Sequence, residues 1–323
     1  MVELPAASPA ESLPPSFVPL PQRGVVAIGG RDAREFLQNL VSNDVGRLTP
    51  QSALYALLLT PQGKYLHDFF LVMHDDAPTG ATLLLDAERA RIPDLLRRLT
   101  LYRLRSDVTL ADVSDRYAIA AAFGHDTARQ LSLGAAPGSA RVFAGGVAFL
   151  DPRVAELGAR VMLPALEIER ALSDAGFASR SVEQYEALRL GLGVPDASRD
   201  LIIEKTFPLE AGLDDLHAID YTKGCYVGQE LTARTHYRGT IRKRLLPVLI
   251  DGPAPESGTP VMLGNVEVGE MRSAIPGIGL ALLRLEHVET AERSGTPLRA
   301  GAATLRAAPA AWFKTAAAEA GRG

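Results

Sequence analysis

One cysteine, Cys225, occurs in a chain of 323 residues, inside the octapeptide Lys223-Gly224-Cys225-Tyr226-Val227-Gly228-Gln229-Glu230. The chemistry open to it is that of a thiolate, the form of cysteine that attacks electrophiles and binds soft metals. Lys223 offers a nearby cation, and the helix formers from Gln229 to Arg234 would turn the positive end of a helix toward the sulfur, so both favour the charged form. The opposing reading is equally physical: a free cysteine is among the most buried residue types and packs as a small apolar side chain. His217 and His236 are close in sequence, but a nucleophile and its base are defined by hydrogen-bond reach, which proximity along the chain does not supply. Six histidines without paired ligand spacing and a single cysteine do not make a zinc site, so no metal-ligating residues are assigned.

The segment around the cysteine is basic. Lys223, Arg234, Arg238, Arg242, Lys243 and Arg244 are opposed only by Glu230. Such a run suits a polyanion such as an RNA phosphate, and it equally suits plain solvated surface. The whole chain has a net charge of -4 and a pI near 5.9, which argues against non-specific coating of nucleic acid.

These residues need elements to hold them. Residues 1–22, rich in Pro, Ala and Ser, lack a basic n-region and an apolar h-region, and read as a disordered leader. No apolar run approaches the roughly 18 residues that span a bilayer, so a cytoplasmic protein without membrane contact is expected. Gly24–Gly30 reads as a strand, followed by a helix that Asp32 would cap, with Glu35 in its first turn. Tyr55–Leu59, the turn Thr60-Pro61-Gln62-Gly63 and Lys64–Met73 read as a hairpin, Pro61 presetting one corner and Gly63 closing it. A strand over Ala81–Leu85 ends at Asp86, read as introducing a helix with Ile92, Leu95, Leu96 and Leu99; Asp94 reads as a residue of its start. His67 and His74 read as structural or exposed, and Asp151-Pro152-Arg153 as a turn. Strands follow at Val108–Val113, Tyr117–Phe123, Val147–Leu150 and Ala159–Leu163, with helices at Asp126–Leu133 and Leu166–Ala175. Ser181 and Gln184 form a capping-box pattern for a helix holding Tyr185, Leu188 and Leu192. After Arg244, short apolar runs divided by Gly and Pro read as a small β module. Irregular mixing of strands and helices favours an α+β fold over a doubly wound sheet. The organisation expected is 1–22 leader, 23–113 first α+β domain, 114–243 second α+β domain ending in the octapeptide, the two either sequential or interleaved, and 244–323 a C-terminal β-barrel.

The octapeptide, with LTARTHYRGTIRKRL after it, closely resembles the signature of the YgfZ family of folate-binding proteins. GRDAREFLQNLVSND, LTPQGKYLHDFFL and YEALRLGLGVPDASRD resemble family segments in family order, so the likeness covers most of residues 24–285. This family is related to the T-protein of the glycine cleavage system, a tetrahydrofolate-dependent aminomethyltransferase. The resemblance implies a three-domain ring of the T-protein type with a small C-terminal barrel, and a folate-binding accessory role in assembling or repairing iron-sulfur enzymes, including some that modify tRNA. The partners implied are iron-sulfur assembly proteins and their clients, with direct RNA binding a further option. By the same resemblance Cys225 is the catalytic candidate, since the T-protein has an acidic residue there. One cysteine cannot ligate a cluster that usually takes about four, so a transient iron-sulfur cluster shared with a partner is the expectation. Folate needs an aromatic wall, a carboxylate or amide, and cations; Tyr185, Lys223, Gln229, Glu230 and Arg234 are assigned to it. Tyr185 reads equally as a core residue. Gly191 stands where the T-protein has a pterin-contacting glutamate, which favours an accessory role over the alternative, a folate-dependent aminomethyl or one-carbon transferase.

Overall fold

The computed structural model describes residues 13–74, 83–308 and 310–313. The first part of the expected leader, residues 1–12, and the start of the expected Ala81 strand lie outside them.

Two sheets and a barrel carry the chain. After β1 (Ser16–Pro19), the first sheet is built from β2 (Arg23–Gly29), β3 (Ala53–Leu59), β4 (Tyr65–Met73), β5 (Leu83–Glu88) and β6 (Thr109–Asp112), in the order β3-β4-β5-β2-β6. Its strands are nearly continuous apolar runs because both faces are covered. Val26, Ile28, Leu71 and Leu85 pack on the helices Ala33–Gln38 and Ile92–Arg103 through Phe36, Leu37, Ile92 and Leu95. Val25, Ala27, Tyr55 and Phe70 face the other way, into the main core.

The second sheet comprises β7 (Tyr117–Phe123), β8 (Ala140–Phe143), β9 (Gly146–Leu150), β10 (Ala159–Pro164) and β11 (Ala178–Ser179), ordered β11-β1-β7-β10-β9-β8. Phe123, Phe149 and Met162 meet the first sheet's inner face in one cluster. The helix Val182–Gly191 adds Tyr185, Leu188 and Leu190 to that cluster. From Lys243, six strands close into a barrel: β12 (Lys243–Asp251), β13 (Pro260–Leu263), β14 (Val266–Ile275), β15 (Ile278–Arg284), β16 (Leu298–Ala300) and β17 (Ala303–Ala307), in the order β12-β15-β14-β13-β16-β17. Mixed sheet and helix with a closed barrel is the α+β architecture expected.

Four expectations change. Ser16–Pro19, composed like a leader, is a strand because its backbone pairs with β7 and β11, and Phe17 and Val18 are buried. Asp32 precedes its helix without capping it; its carboxylate accepts instead from the Asp107 amide at 2.8 Å. Asp86 is a strand residue with no exposure, held by Arg23 and Arg160. The helix after Asp126 is a single turn, Thr127–Gln130. Both His67 and His74 are buried.

Candidate functional site

The octapeptide forms a loop pinned at both ends. Before it, the Asp220 carboxylate accepts from the Thr222 amide and hydroxyl and from the Lys223 amide, at 2.7, 2.6 and 3.1 Å. Lys223 then turns inward. Its Nζ donates to the carbonyls of Gln38, Val41 and Asn43 at 2.8, 2.6 and 2.7 Å, and only 7 % of the residue is exposed. An ammonium has three protons, and all three are committed here to the segment that follows the first helix. Burial pushes its pKa down to about 8. The expectation that Lys223 holds a folate tail is therefore corrected: no donor remains for an anion.

At the other end Gly228 has a φ of 86° and lies against the β3–β4 turn, where a Cβ would meet the Thr60 carbonyl at 2.5 Å and the Gly63 Cα at 3.1 Å. Two glycines in contact, Gly63 and Gly228, let the hairpin and the loop approach this closely. The helix Gln229–Arg238 begins at the next residue. Between the pins, Cys225 is exposed, and a Cβ added at Gly224 would meet nothing within 4 Å. The thiol is thus a presented group, not a core filler.

Tyr226 beside it is buried under Lys223, whose Nζ lies 5.2 Å from the ring centroid. Burial pushes the Tyr226 hydroxyl up to about 12. Thr232 lies beside that hydroxyl, but its own hydroxyl donates to the Gly228 carbonyl at 3.0 Å and the tyrosine oxygen makes no hydrogen bond of proper geometry. Tyr221 stacks on His236 with centroids 3.8 Å apart. Burial raises the pKa of the neighbouring Asp214.

A second region lies between the two sheets. A cavity of about 250 Å³ is walled by Phe70, Tyr185, Asp68, Arg153, Arg160 and Arg189 among others. Asp68 accepts from the hydroxyls of Tyr55 and Tyr65 at 3.1 and 3.0 Å. Asp86 joins Arg23 and Arg160, Asp151 chelates Arg153 through Nε and Nη2 at 3.0 and 2.8 Å, and Arg189 bridges Glu186 and Asp200, each at 2.9 Å. The guanidiniums of Arg160 and Arg153 lie 4.1 and 4.9 Å from the Phe70 centroid. The Arg160 Nε is buried and, among the described residues, makes no hydrogen bond, its nearest acceptor being the Asp151 carboxylate at 3.7 Å.

Tyr185 is the one residue assigned to folate that reaches this cavity. Gln229 is half-buried on the loop side, while Glu230 and Arg234 are exposed, and none of the three lines the cavity. The assigned set does not converge, because the loop is tied to residues 38–43 and 60–63 and not to the space between the sheets. Asp68, Arg23, Arg153 and Arg160 were missed. For Asp68 and Arg160 the signal is a charge inside an apolar strand, as in YLHDFFLVM and ARVMLP, since charged residues are almost never fully buried unless paired. Asp151-Pro152-Arg153, read as a turn, is a buried ion pair instead. Asp94 sits in the first turn of Ile92–Arg103, where hydrogen bonds from Arg98, Arg97 and His67 outweigh desolvation and hold its carboxyl well below the usual range. Among the described residues no group of three or more His, Cys, Asp or Glu could hold a metal ion.

For a pterin-type ligand the cavity offers an aromatic wall (Phe70, Tyr185), a carboxylate (Asp68) and a donor, Arg160 Nε, held only by a 3.7 Å ion pair with Asp151. Its volume is below the roughly 300–1,000 Å³ of most cofactor pockets, so these residues fit the ring head of a folate and not its full length.

Residues 242–315 match the family model of the CAF17 C-terminal beta-barrel domain. Over 311 residues the chain is 32% identical to the mitochondrial iron-sulfur cluster assembly factor IBA57 of Mus musculus, covering 88% of this chain and 84% of that protein. The mitochondrial IBA57 of Homo sapiens is 33% identical, with 83% and 77% covered, and the Mycosarcoma maydis homolog is 33% identical, with 83% and 73% covered. The fold resembles the glycine cleavage system aminomethyltransferase T of Bartonella henselae, with a TM-score of 0.74 at 15% identity over 93% of this chain and 86% of that one. The expected cytoplasmic location is overturned by these relatives, which are named as mitochondrial proteins. Leader composition and missing apolar spans speak only to secretion and membrane insertion. Among the described residues no helix is long and apolar enough to cross a membrane.

Proposed function

The chain belongs to the IBA57 family of iron-sulfur cluster assembly factors, and from that premise we propose that it serves the assembly or repair of iron-sulfur proteins by presenting Cys225 to a cluster held mainly by a partner. The observation that carries this reading is the exposed thiol on a loop fixed from below by the three carbonyl bonds of Lys223. As a thiolate, Cys225 would bond one iron of the cluster, its proton passing to solvent, while the partner's ligands complete the set of about four. The cluster is cargo in this account.

Folate binding and kinship to the YgfZ branch are the finer part of the proposal. Support comes from the octapeptide and from the cavity, where Phe70 and Tyr185 would hold the ring system and Asp68 and Arg160 its polar edge. A bound tetrahydrofolate would supply a one-carbon carrier or a reporter of folate status. Clients that modify tRNA belong to the same proposal.

A deletion strain complemented with the wild-type chain or with Cys225→Ser tests the thiol. We expect the wild type to restore several iron-sulfur enzyme activities and tRNA thiomethylation, and Cys225→Ser to restore less than a tenth; equal rescue would sink the reading. Incubation with tetrahydrofolate and an aminomethyl donor separates the transferase alternative, since binding without turnover is the expected result.

A further inference from the structure

We propose that the face around Cys225 is a docking surface for an acidic protein that inserts an apolar side chain beside the thiol. This deepens the proposed function and rests on it for the identity of the cargo. Two residues beyond Cys225 and so within about 7 Å along the chain, Val227 lines an open groove of about 1060 Å³ whose apolar half is Phe36, Leu40, Tyr102 and Leu104 and whose polar half includes Asp32, Glu35 and Arg105, so the groove itself takes an apolar side chain and the partner's carboxylates must lie elsewhere. Leu104 is 88 % exposed, Leu101 66 % and Tyr102 42 %, an apolar cluster that water does not favour on a monomer's surface.

After Gly228 the chain continues as the helix Gln229–Arg238, about 15 Å long. Arg234 and Arg238 lie four apart on it, with Leu231 on the same flank, and Arg242 and Lys243 follow. All four cations are exposed, and none makes an ion pair or side-chain hydrogen bond among the described residues. Arg244 next to them is different: it is buried, pairs with Asp215 at 3.3 Å and covers Phe313. In a chain of net charge -4, four adjacent unpaired cations are a local exception, and their complement is a carboxylate-rich face. The apolar half of the groove, near the thiol in the chain, favours protein over RNA, which has no aliphatic group to seat there and whose phosphates Asp32 and Glu35 would repel.

Disulfide tethering to the purified full chain tests this without any cluster. Four probes are each supplied as a mixed disulfide with 2-mercaptoethanol: a Cys-containing Glu/Leu peptide, its Lys/Leu counterpart, a thiolated γ-linked pentaglutamate and a thiolated RNA tetranucleotide. Intact mass reads the fraction attached to Cys225. We expect the Glu/Leu peptide to exceed the Lys/Leu peptide by about tenfold, roughly 1.4 kcal/mol, and to exceed pentaglutamate as well. Arg234→Glu/Arg238→Glu/Arg242→Glu should reverse the first preference, and Leu104→Asp should abolish the second. These positions are exposed, so the variants remain folded. Equal attachment of the acidic and basic peptides overturns the proposal. Pentaglutamate matching the peptide, or RNA exceeding it, overturns it too and assigns the strip to a folate tail or to nucleic acid. The outcome is separable from the function: full rescue by Cys225→Ser would sink the thiol's role while leaving the tethering result intact.

Discussion

Two charged regions of this molecule invite comparison: the arginines between the sheets and the cations beside Cys225. Between the sheets every cation faces its carboxylate, Arg23 and Arg160 on Asp86, Arg153 on Asp151, and Arg189 on Asp200 and Glu186. Asp200 also accepts from the Ser273 amide of β14 at 2.9 Å, so the network ties the barrel to the rest of the chain. In the strip that follows Cys225, Arg234, Arg238 and Arg242 stand exposed and without an ion pair among the described residues, and Lys243 feels only the Glu210 carboxylate without contacting it. A buried charge must be paired where it lies, whereas a solvated one is free to meet a partner. The first region is built to hold itself together; the second is open toward something outside. Lys223 belongs with the first although it lies in the octapeptide.

The comparison breaks most severely at Asp86. Asp86→Asn removes the nearest counter-charge from two buried guanidiniums, leaving Arg160 only the longer ion pair to Asp151 at 3.7 Å, and the unfolding free energy from denaturant titration should fall by about 3–5 kcal/mol. A loss under 1 kcal/mol would mean that the network is open to water. Next is Lys223→Met, which strips the Nζ donor from the Gln38, Val41 and Asn43 carbonyls and should cost about 3 kcal/mol. Limited proteolysis should then cut near Gly224 faster than in the wild type, and an unchanged rate would separate the lysine from the loop's order.

A smaller effect comes with pH. Burial first, with Arg91 adding to it, pushes His67 down to about 4 against the Asp94 hydrogen bond. The unfolded chain binds a proton near 6.5 and the folded chain only near 4, so stability is full above 6.5 and falls as pH drops toward 4. The loss over that window should be at most about 3 kcal/mol, read from urea midpoints, and His67→Gln should flatten it. A wild-type curve that is flat from pH 6.5 to 4 would refute the neutral buried histidine. Smallest are the open-side changes: Cys225→Ser and Arg238→Ala should shift stability by less than about 0.5 kcal/mol in thermal unfolding. A larger shift would place those residues with the closed region.

Local chemistry made much of the fold legible. Pro61 and Gly63 marked the hairpin turn, and Gly63 has the positive φ, 70°, that such a corner requires. Apolar runs marked β2, β4, β7 and β10, and the broken texture after Arg244 marked the barrel. Asp86 was misread because an aspartate after an apolar run looks like the start of a helix; its partners are 63 and 74 positions away. Ser16–Pro19 was misread because its strand character comes from its neighbours β7 and β11 and not from its composition.

The sequence by itself determined that one thiol exists, that glycines and a basic run surround it, and that a helix follows Gly228. These are properties of residue type and short spacing, which no packing can alter. Only the tertiary structure decided which charges are closed and which are open. Lys223 and Arg238 look alike in the chain, yet one is surrounded by three carbonyls brought from about 180 positions away and the other by solvent. A side chain's partner is chosen by folding, because charge finds its counterpart through space and not along the backbone.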